Sequence, residues 1–269
     1  MNLKLTVNIV TALTFVAAVA LAITFGWPDG QLHPNVGGLV VDWGNPPQKT
    51  LICSGTLIAS DVFLTAAHCI AVLPTFPAEP EPRVWVTFDT QFTESSVLLA
   101  GTAHVNPGYK APPVAEPGDV AIVKLDAPAS GIPVAQLPQL GYFENLAASK
   151  QLKDAVFTAV GYGILRESKK KGPLSLPSVP YPMSGDTRYY AYSSFNGITP
   201  AWLFLSQNPS TNDGGTCFGD SGGPNFYAAT NIIAALTVWG DRFCRAANVV
   251  YRLDTPAARE FLSQWVTVP

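Results

Sequence analysis

At 269 residues, 48% of them hydrophobic, the chain can bury the core of one large β domain or two modest ones, and global disorder is excluded. Lysine and arginine number 16 against 19 acidic residues, a net charge of −3 that offers no basic field for a phosphate backbone, so nucleic acid is excluded as a partner. Twenty-four prolines and 22 glycines, scattered without period, punctuate short apolar runs and favour many short strands over long helices.

Residues 5–22, LTVNIVTALTFVAAVALA, follow Lys4 and carry no charge. That is the make-up of a secretory signal, with Ala20-Leu21-Ala22 as its small-residue cleavage site, although the stretch approaches the roughly 20 residues of a membrane anchor. Weakly hydrophobic alanines and a well-placed site favour cleavage after Ala22, hence a secreted, extracellular product without stable membrane association. PDGQLHP (28–34) is turn chemistry, and VGGLVVDW and CSGTLIAS read as strands. VFLTAAHC is an apolar run ending at His68, before a turn or short helix. RVWVTFD and SVLLAGTAHV are strand candidates, and a Pro/Gly loop (105–119) delivers the chain into DVAIVKL, a short buried strand that Asp119 begins. AVFTAVGYG, RYYAYSSF, AWLFLSQ and IIAALTVWG are further strands, with a solvated basic and Pro-rich loop over 166–186. TPAAREFLSQWV (255–266) is the one clear helix, capped by Thr255, with Pro256 at its first position.

The four cysteines, Cys53, Cys69, Cys217 and Cys244, suggest two disulfides in an exported chain. Three connectivities are open, and spacing points to Cys53 with Cys69 and Cys217 with Cys244. Neither pair has zinc-site spacing, and no compact acidic loop calls for calcium, so no metal and no cofactor are expected.

GGTCFGDSGGP (214–224) sets Ser221 among glycines. A serine is a weak nucleophile until a base takes its proton. The same residues fit the G-x-S-x-G elbow of α/β hydrolases, whose histidine follows the serine; here His33, His68 and His104 all precede it, so that reading fails. His68, beside Cys69, is the candidate base, while His33 lies in a turn and His104 enters a loop. Asp119, at the mouth of a buried strand, is the candidate carboxylate, since burial there is costly without hydrogen bonds. Asp89, Asp126, Asp154 and Asp186 read as solvated.

LTAAHC, GDVAIVKL and GDSGGP, in that order, resemble the motifs of the trypsin/chymotrypsin family of serine peptidases. The resemblance covers the chain from about Ile23 to the C-terminal helix. It implies an all-β fold of two packed antiparallel barrels, the first over about 34–140 and the second over about 150–254, with a C-terminal α-helix. It implies an endopeptidase acting on polypeptides through His68, Asp119 and Ser221, with a monomer favoured and no motif that fixes the oligomeric state. Gly219 and Ser221 match the oxyanion-hole positions. The alternative is an inactive binding protein of the same fold, to which Val238 lends weight: many relatives have there a serine bonded to the triad aspartate.

By the same resemblance Gly215 and Thr216 form the base of the primary pocket, Val238, Trp239 and Gly240 the substrate-pairing strand, and Val249, two residues before Tyr251, the far wall. Gly215 supplies no carboxylate, so cleavage after Arg or Lys is not expected, and a branched Val249 points to small or medium apolar side chains. Asp241 or Asp213 is left to supply charge at the rim. Cleavage after Ala22 would expose Ile23, whose ammonium is expected to pair with Asp220, as the new N-terminus does in the family.

Overall fold

The computed structural model of the protein describes residues 23–73, 75–76, 78–111, 113–164 and 184–269. The expected signal segment and most of the expected 166–186 loop lie outside these residues.

A two-residue strand, β1 (Trp27–Pro28), opens the described chain. The alternating and continuous apolar runs that follow become β2 (Val36–Trp43), β3 (Gln48–Ala59) and β4 (Val62–Thr65), then α1 (Ala67–Ala71), β5 (Arg83–Thr87), β6 (Leu99–Val105) and β7 (Ala121–Leu125). These strands close a barrel in the order β2-β3-β4-β7-β6-β5, with Gly38 of β2 opposite Thr87 of β5. The seam buries Leu39, Phe63, Val86 and Val123 inside. After α2 (Tyr142–Ala148) come β8 (Val156–Gly161), β9 (Tyr189–Ile198), β10 (Trp202–Ser206), β11 (Pro224–Tyr227), β12 (Ile233–Gly240) and β13 (Ala247–Arg252). Their order, β9-β10-β13-β12-β11-β8, is closed by β8 pairing β9, and β1 is appended to β9.

The expected pair of antiparallel barrels is therefore present. They meet on a shared apolar layer in which Val36, Leu64 and Ile122 of the first pack with Val160, Leu236 and Tyr251 of the second. Fully burying each such side chain contributes about 1.5–3 kcal/mol. Closure leaves neither main barrel with a free edge to template aggregation.

The last helix, α3 (Pro256–Leu262), is shorter than its sequence pattern, though Thr255 caps it as expected by accepting a hydrogen bond from the Ala258 N–H. His104 belongs to β6 instead of a loop: its residue pairs with Ile122, and its ring lies against Trp265 with centroids 4.4 Å apart. The strand runs on to Val105 before the Pro/Gly segment breaks it.

Candidate active site

The helix α1 has no side-chain cap of its own at Ala66. Its orphan donors are served from 51 residues away: the backbone N–H of His68 donates to Asp119 Oδ1 at 2.9 Å, and His68 Nδ1 lies 2.9 Å from Asp119 Oδ2. A carboxylate only accepts, so Nδ1 carries the proton and Nε2 presents its lone pair. Asp119 is completely buried. Its place is set by the turn before β7, where Gly118 has φ +58° and its N–H donates to Glu116 Oε1. Tyr251 of the second barrel donates its hydroxyl to the same Glu116 oxygen at 2.7 Å. Burial, reinforced by Glu116, pushes the Tyr251 phenol well above its ordinary range. Val238 is buried in the interbarrel layer, and its methyl groups offer Asp119 no hydrogen bond.

Ser221 sits in a turn folded on itself. The Asp220 N–H donates to Cys217 O, the Gly223 N–H to Asp220 O, and the Gly222 N–H to Thr237 O. Gly219 has φ +96° and Gly222 φ +77°. A Cβ on Gly219 would come within 2.7 Å of Ser184, and one on Gly222 within 2.2 Å of Thr65 Oγ1, so both conformation and space require glycine.

One dipeptide of β3 joins the two halves. Cys53 is disulfide-bonded to Cys69, next to His68, and the second disulfide is Cys217–Cys244, both as the spacing suggested. Its neighbour Ser54 donates its N–H to Ser221 O at 2.8 Å and its hydroxyl to Gly219 O at 2.9 Å, and accepts from the Tyr162 N–H. Thr65, two residues before the start of α1, donates to Ser54 O. Ser54 is completely buried and was missed in the sequence, where a serine in an apolar strand carries no sign of a partner 165 residues away. His68 Nε2 lies 3.8 Å from Cys69 Sγ and makes no hydrogen bond to Ser221; catalytic hydrogen bonds are often long without substrate. Cys53, His68 and Cys69 are clustered closely enough for a metal, but the two sulfurs are bonded to each other and offer no thiolate.

Asp220 is completely buried, its Oδ1 accepting from the Gly163 N–H and its Oδ2 from the Cys217 N–H, each at 2.8 Å. Burial raises its carboxyl from the ordinary 3.8 to about 7, against the lowering effect of those two N–H groups. Ile23 is buried with Tyr189 and Ala191, and Thr24 pairs with Gly215 through N–H···O bonds in both directions, so the start of the described chain adjoins the segment that leads into the Ser221 turn.

Beside Ser221 lies a cavity of about 150 Å³ lined by Thr216, Phe218, Val238, Gly240, Asp241 and the second disulfide. Trp239, more than half exposed, stands at its edge. Val249 is not part of it. A register shift in β12 between Thr237 and Trp239 sets Val249 opposite Trp239, and its side chain lines a separate cavity with Trp202 and Phe204. The β13 residue that reaches the pocket base is Asn248, whose Oδ1 accepts from Thr216 Oγ1 at 2.7 Å. Counting from Tyr251 could not reveal this shift, because successive strand residues face opposite ways. Asp241 does line the cavity, whereas Asp213 is bound to Ser194 and Thr211. A larger cavity, about 960 Å³, lies elsewhere, around His33, Tyr190 and Phe226.

A family model described as Trypsin matches residues 28–262. A "Trypsin" of Saccharopolyspora erythraea is 30% identical over 222 residues, covering 80% of this chain and 85% of that protein. A "Trypsin-like protease" of Streptomyces glaucescens is 29% identical over 244 residues, 85% of this chain and 82% of its own length. Among solved structures, HL collagenase matches with a TM-score of 0.64 at 17% identity, over 91% of this chain and 96% of that one, a likeness of fold.

Proposed function

The chain belongs to the trypsin family of serine endopeptidases, whose substrates are polypeptides, and from that premise we propose how its own residues carry out the reaction. Ser221 Oγ attacks the scissile carbonyl while His68 Nε2 takes its proton. The backbone N–H groups of Gly219 and Ser221 receive the oxyanion. His68 then returns the proton to the leaving amine, and water, activated by the same base, hydrolyses the acyl-enzyme. Asp119 holds the imidazole in the tautomer that leaves Nε2 free and stabilises the imidazolium.

The observation that carries this reading is the double hold of Asp119 on His68, through both its backbone N–H and Nδ1. Covalent labelling by a fluorophosphonate, which reacts with an activated serine, tests it. Wild type should label and Ser221→Ala should not; a correctly disulfide-bonded wild type that fails to label would overturn the assignment.

Export and activation belong to the same proposal. Removal of residues 1–22 frees the Ile23 amine, which pairs with Asp220 and orders the oxyanion turn, so signal cleavage itself completes the enzyme. The buried Asp220 and the Thr24–Gly215 pairing support this step. A secreted product starting elsewhere, or full activity with a residue left before Ile23, would contradict it. Gly215 offers no carboxylate to a basic side chain, so cleavage after Arg or Lys is not favoured.

A further inference from the structure

The proposed oxyanion donors are the N–H groups of Gly219 and Ser221, and neither has an acceptor among the described residues. A peptide N–H points opposite to the carbonyl of its own planar unit, so whatever holds that carbonyl also aims the N–H. The Gly219 N–H shares its unit with Phe218 O, which accepts from the Ile164 N–H at 2.7 Å. The Ser221 N–H shares its unit with Asp220 O, which accepts from the Gly223 N–H at 2.9 Å. Between the two lies a third unit, from Gly219 to Asp220, and here the chain has least restraint of its own. Gly219 is buried at φ +96° and has no Cβ to limit its rotation. Nothing in a glycine keeps that conformation, so a hydrogen bond has to.

Ser54 supplies it. Its hydroxyl lies 2.9 Å from Gly219 O and 2.9 Å from the backbone nitrogen of Tyr162. An amide N–H can only donate, so the Tyr162 bond takes up a lone pair of Oγ and leaves the hydroxyl hydrogen for Gly219 O. The backbone N–H of the same residue donates to Ser221 O at 2.8 Å. One residue thus holds the carbonyls on both sides of Asp220. Ser54 is itself firmly placed: Cys53 before it is disulfide-bonded to Cys69, and its own carbonyl accepts from Thr65. A Cβ on Gly161 would lie 2.8 Å from its Oγ and one on Gly223 3.1 Å from its Cβ, so bare backbone encloses the side chain. Alanine would suit such a place in an apolar strand, whereas a buried hydroxyl is costly unless it is bonded.

We propose that the Ser54 hydroxyl is a positioning group of the oxyanion hole: it fixes Gly219 by its carbonyl, and so keeps the Gly219 N–H aimed at the charge that develops on the scissile carbonyl oxygen. This inference rests on the mechanism proposed above and deepens it. Without the hydroxyl the buried Gly219 carbonyl is orphaned, and an orphaned carbonyl turns towards another donor. That rotation carries the Gly219 backbone with it and misaims the N–H. The loss falls on the transition state, where the oxygen is anionic, and leaves substrate binding as it was.

The test is Ser54→Ala, which deletes the hydroxyl and keeps the backbone N–H that donates to Ser221 O. Processed wild type and variant are labelled to completion with a fluorophosphonate across a range of pH, and kcat and KM are measured on labelled casein. Ser54→Ala should label to the same stoichiometry but about tenfold more slowly, and its kcat should fall by that factor with KM within about twofold; losing an oxyanion donor outright costs about 10²–10³ in kcat, and a donor kept but misaimed should cost less. The pH midpoint of labelling should match wild type, because His68 is untouched. Labelling at the wild-type rate overturns the proposal, including the case in which fewer molecules label, the mark of a residue that only supports the fold. A rise in KM in place of the fall in kcat overturns it, as does a shifted midpoint, which would put the loss at His68. Should Ser54→Ala not fold, Ser54→Gly repeats the test, and failure of both to fold overturns the proposal by making the hydroxyl a requirement of folding. Wild type that neither labels nor cleaves would instead bring down the peptidase mechanism on which this inference rests.

Discussion

The molecule contains the same local arrangement twice. At His68 a buried carboxylate holds the backbone N–H and Nδ1 of one histidine. At His33 another, Asp29, does the same, with the N–H at 3.2 Å and Nδ1 at 2.5 Å. What surrounds the pairs separates them. Asp29 also binds Arg188 Nε at 2.8 Å, and that buried guanidinium donates onward to Gly30 O, Val36 O and Phe88 O. The His33 ring is stacked on Phe226. His68 instead adjoins the Ser54 bridge to the Ser221 turn. A histidine held by aspartate is thus a structural device in one place and, in the proposed mechanism, one third of a reaction centre in the other. Only the neighbouring nucleophile and its glycine-built turn make the difference.

Exchanging each aspartate for asparagine tests that contrast at its largest. Asp119→Asn should leave a folded protein whose kcat falls about 10⁴-fold, since an amide can hold the ring in the wrong tautomer. Asp29→Asn should leave kcat per folded molecule near wild type. Equal losses would mean that the two pairs do the same work.

Stability should show the reverse order. Arg188→Met leaves Asp29 buried without its cation, at an expected cost of about 3–5 kcal/mol. Because the penalty belongs to the uncompensated charge, Arg188→Met with Asp29→Asn should recover part of it. Urea unfolding of the single and double variants measures both, and additive losses would argue against a coupled pair.

Asp29 and Asp220 sharpen the comparison through pH. Burial alone would raise Asp29, but the hydrogen bond from His33 and the charge of Arg188 outweigh it and hold its carboxyl below the ordinary range. Its contribution is therefore present above the unfolded-state value and lost as pH falls through the folded one. Asp220 has the opposite sign. Its folded value of about 7 exceeds the ordinary 3.8, so between the two the folded chain keeps a proton that the unfolded chain has released. In unprocessed protein, rising pH over that window should lower stability by on the order of 4 kcal/mol. Processing at Ala22 should abolish that slope by supplying the Ile23 ammonium. A flat profile in unprocessed protein would show that Asp220 is already compensated.

The parts legible in the sequence were those whose causes are local or carried by a motif. Apolar runs bounded by Pro and Gly marked most strands, Thr255 marked the start of α3, and three short motifs marked the residues of the candidate site. What stayed hidden depends on distant partners. The helix α2 begins after Gly141 in a left-handed conformation, and Asp254 serves its first turn by accepting from the Phe143 N–H, 111 residues away. Ser54 gains its place from contacts across the fold, and the β12 register shift that turns Val249 from the pocket leaves no local trace.

His104 supplies the weakest form of the same pairing and the smallest expected effect. Its Nδ1 lies 3.2 Å from Glu81 Oε1, but the Glu81 side chain is 63% exposed, so solvent screens the pair. Such exposed pairs contribute about 0–1 kcal/mol. The ring contact with Trp265 has more weight, because it ties β6 to the chain after α3, and aromatic pairs contribute about 0.5–1.5 kcal/mol. His104→Ala should therefore cost about 1 kcal/mol, a fall in Tm of roughly 2–4 °C for a domain of this size, with kcat unchanged. Glu81→Gln should cost less, and only at low salt. If Glu81→Gln matched His104→Ala, the carboxylate would be the greater part of the interaction, and exposure would not be what separates this histidine from the other two.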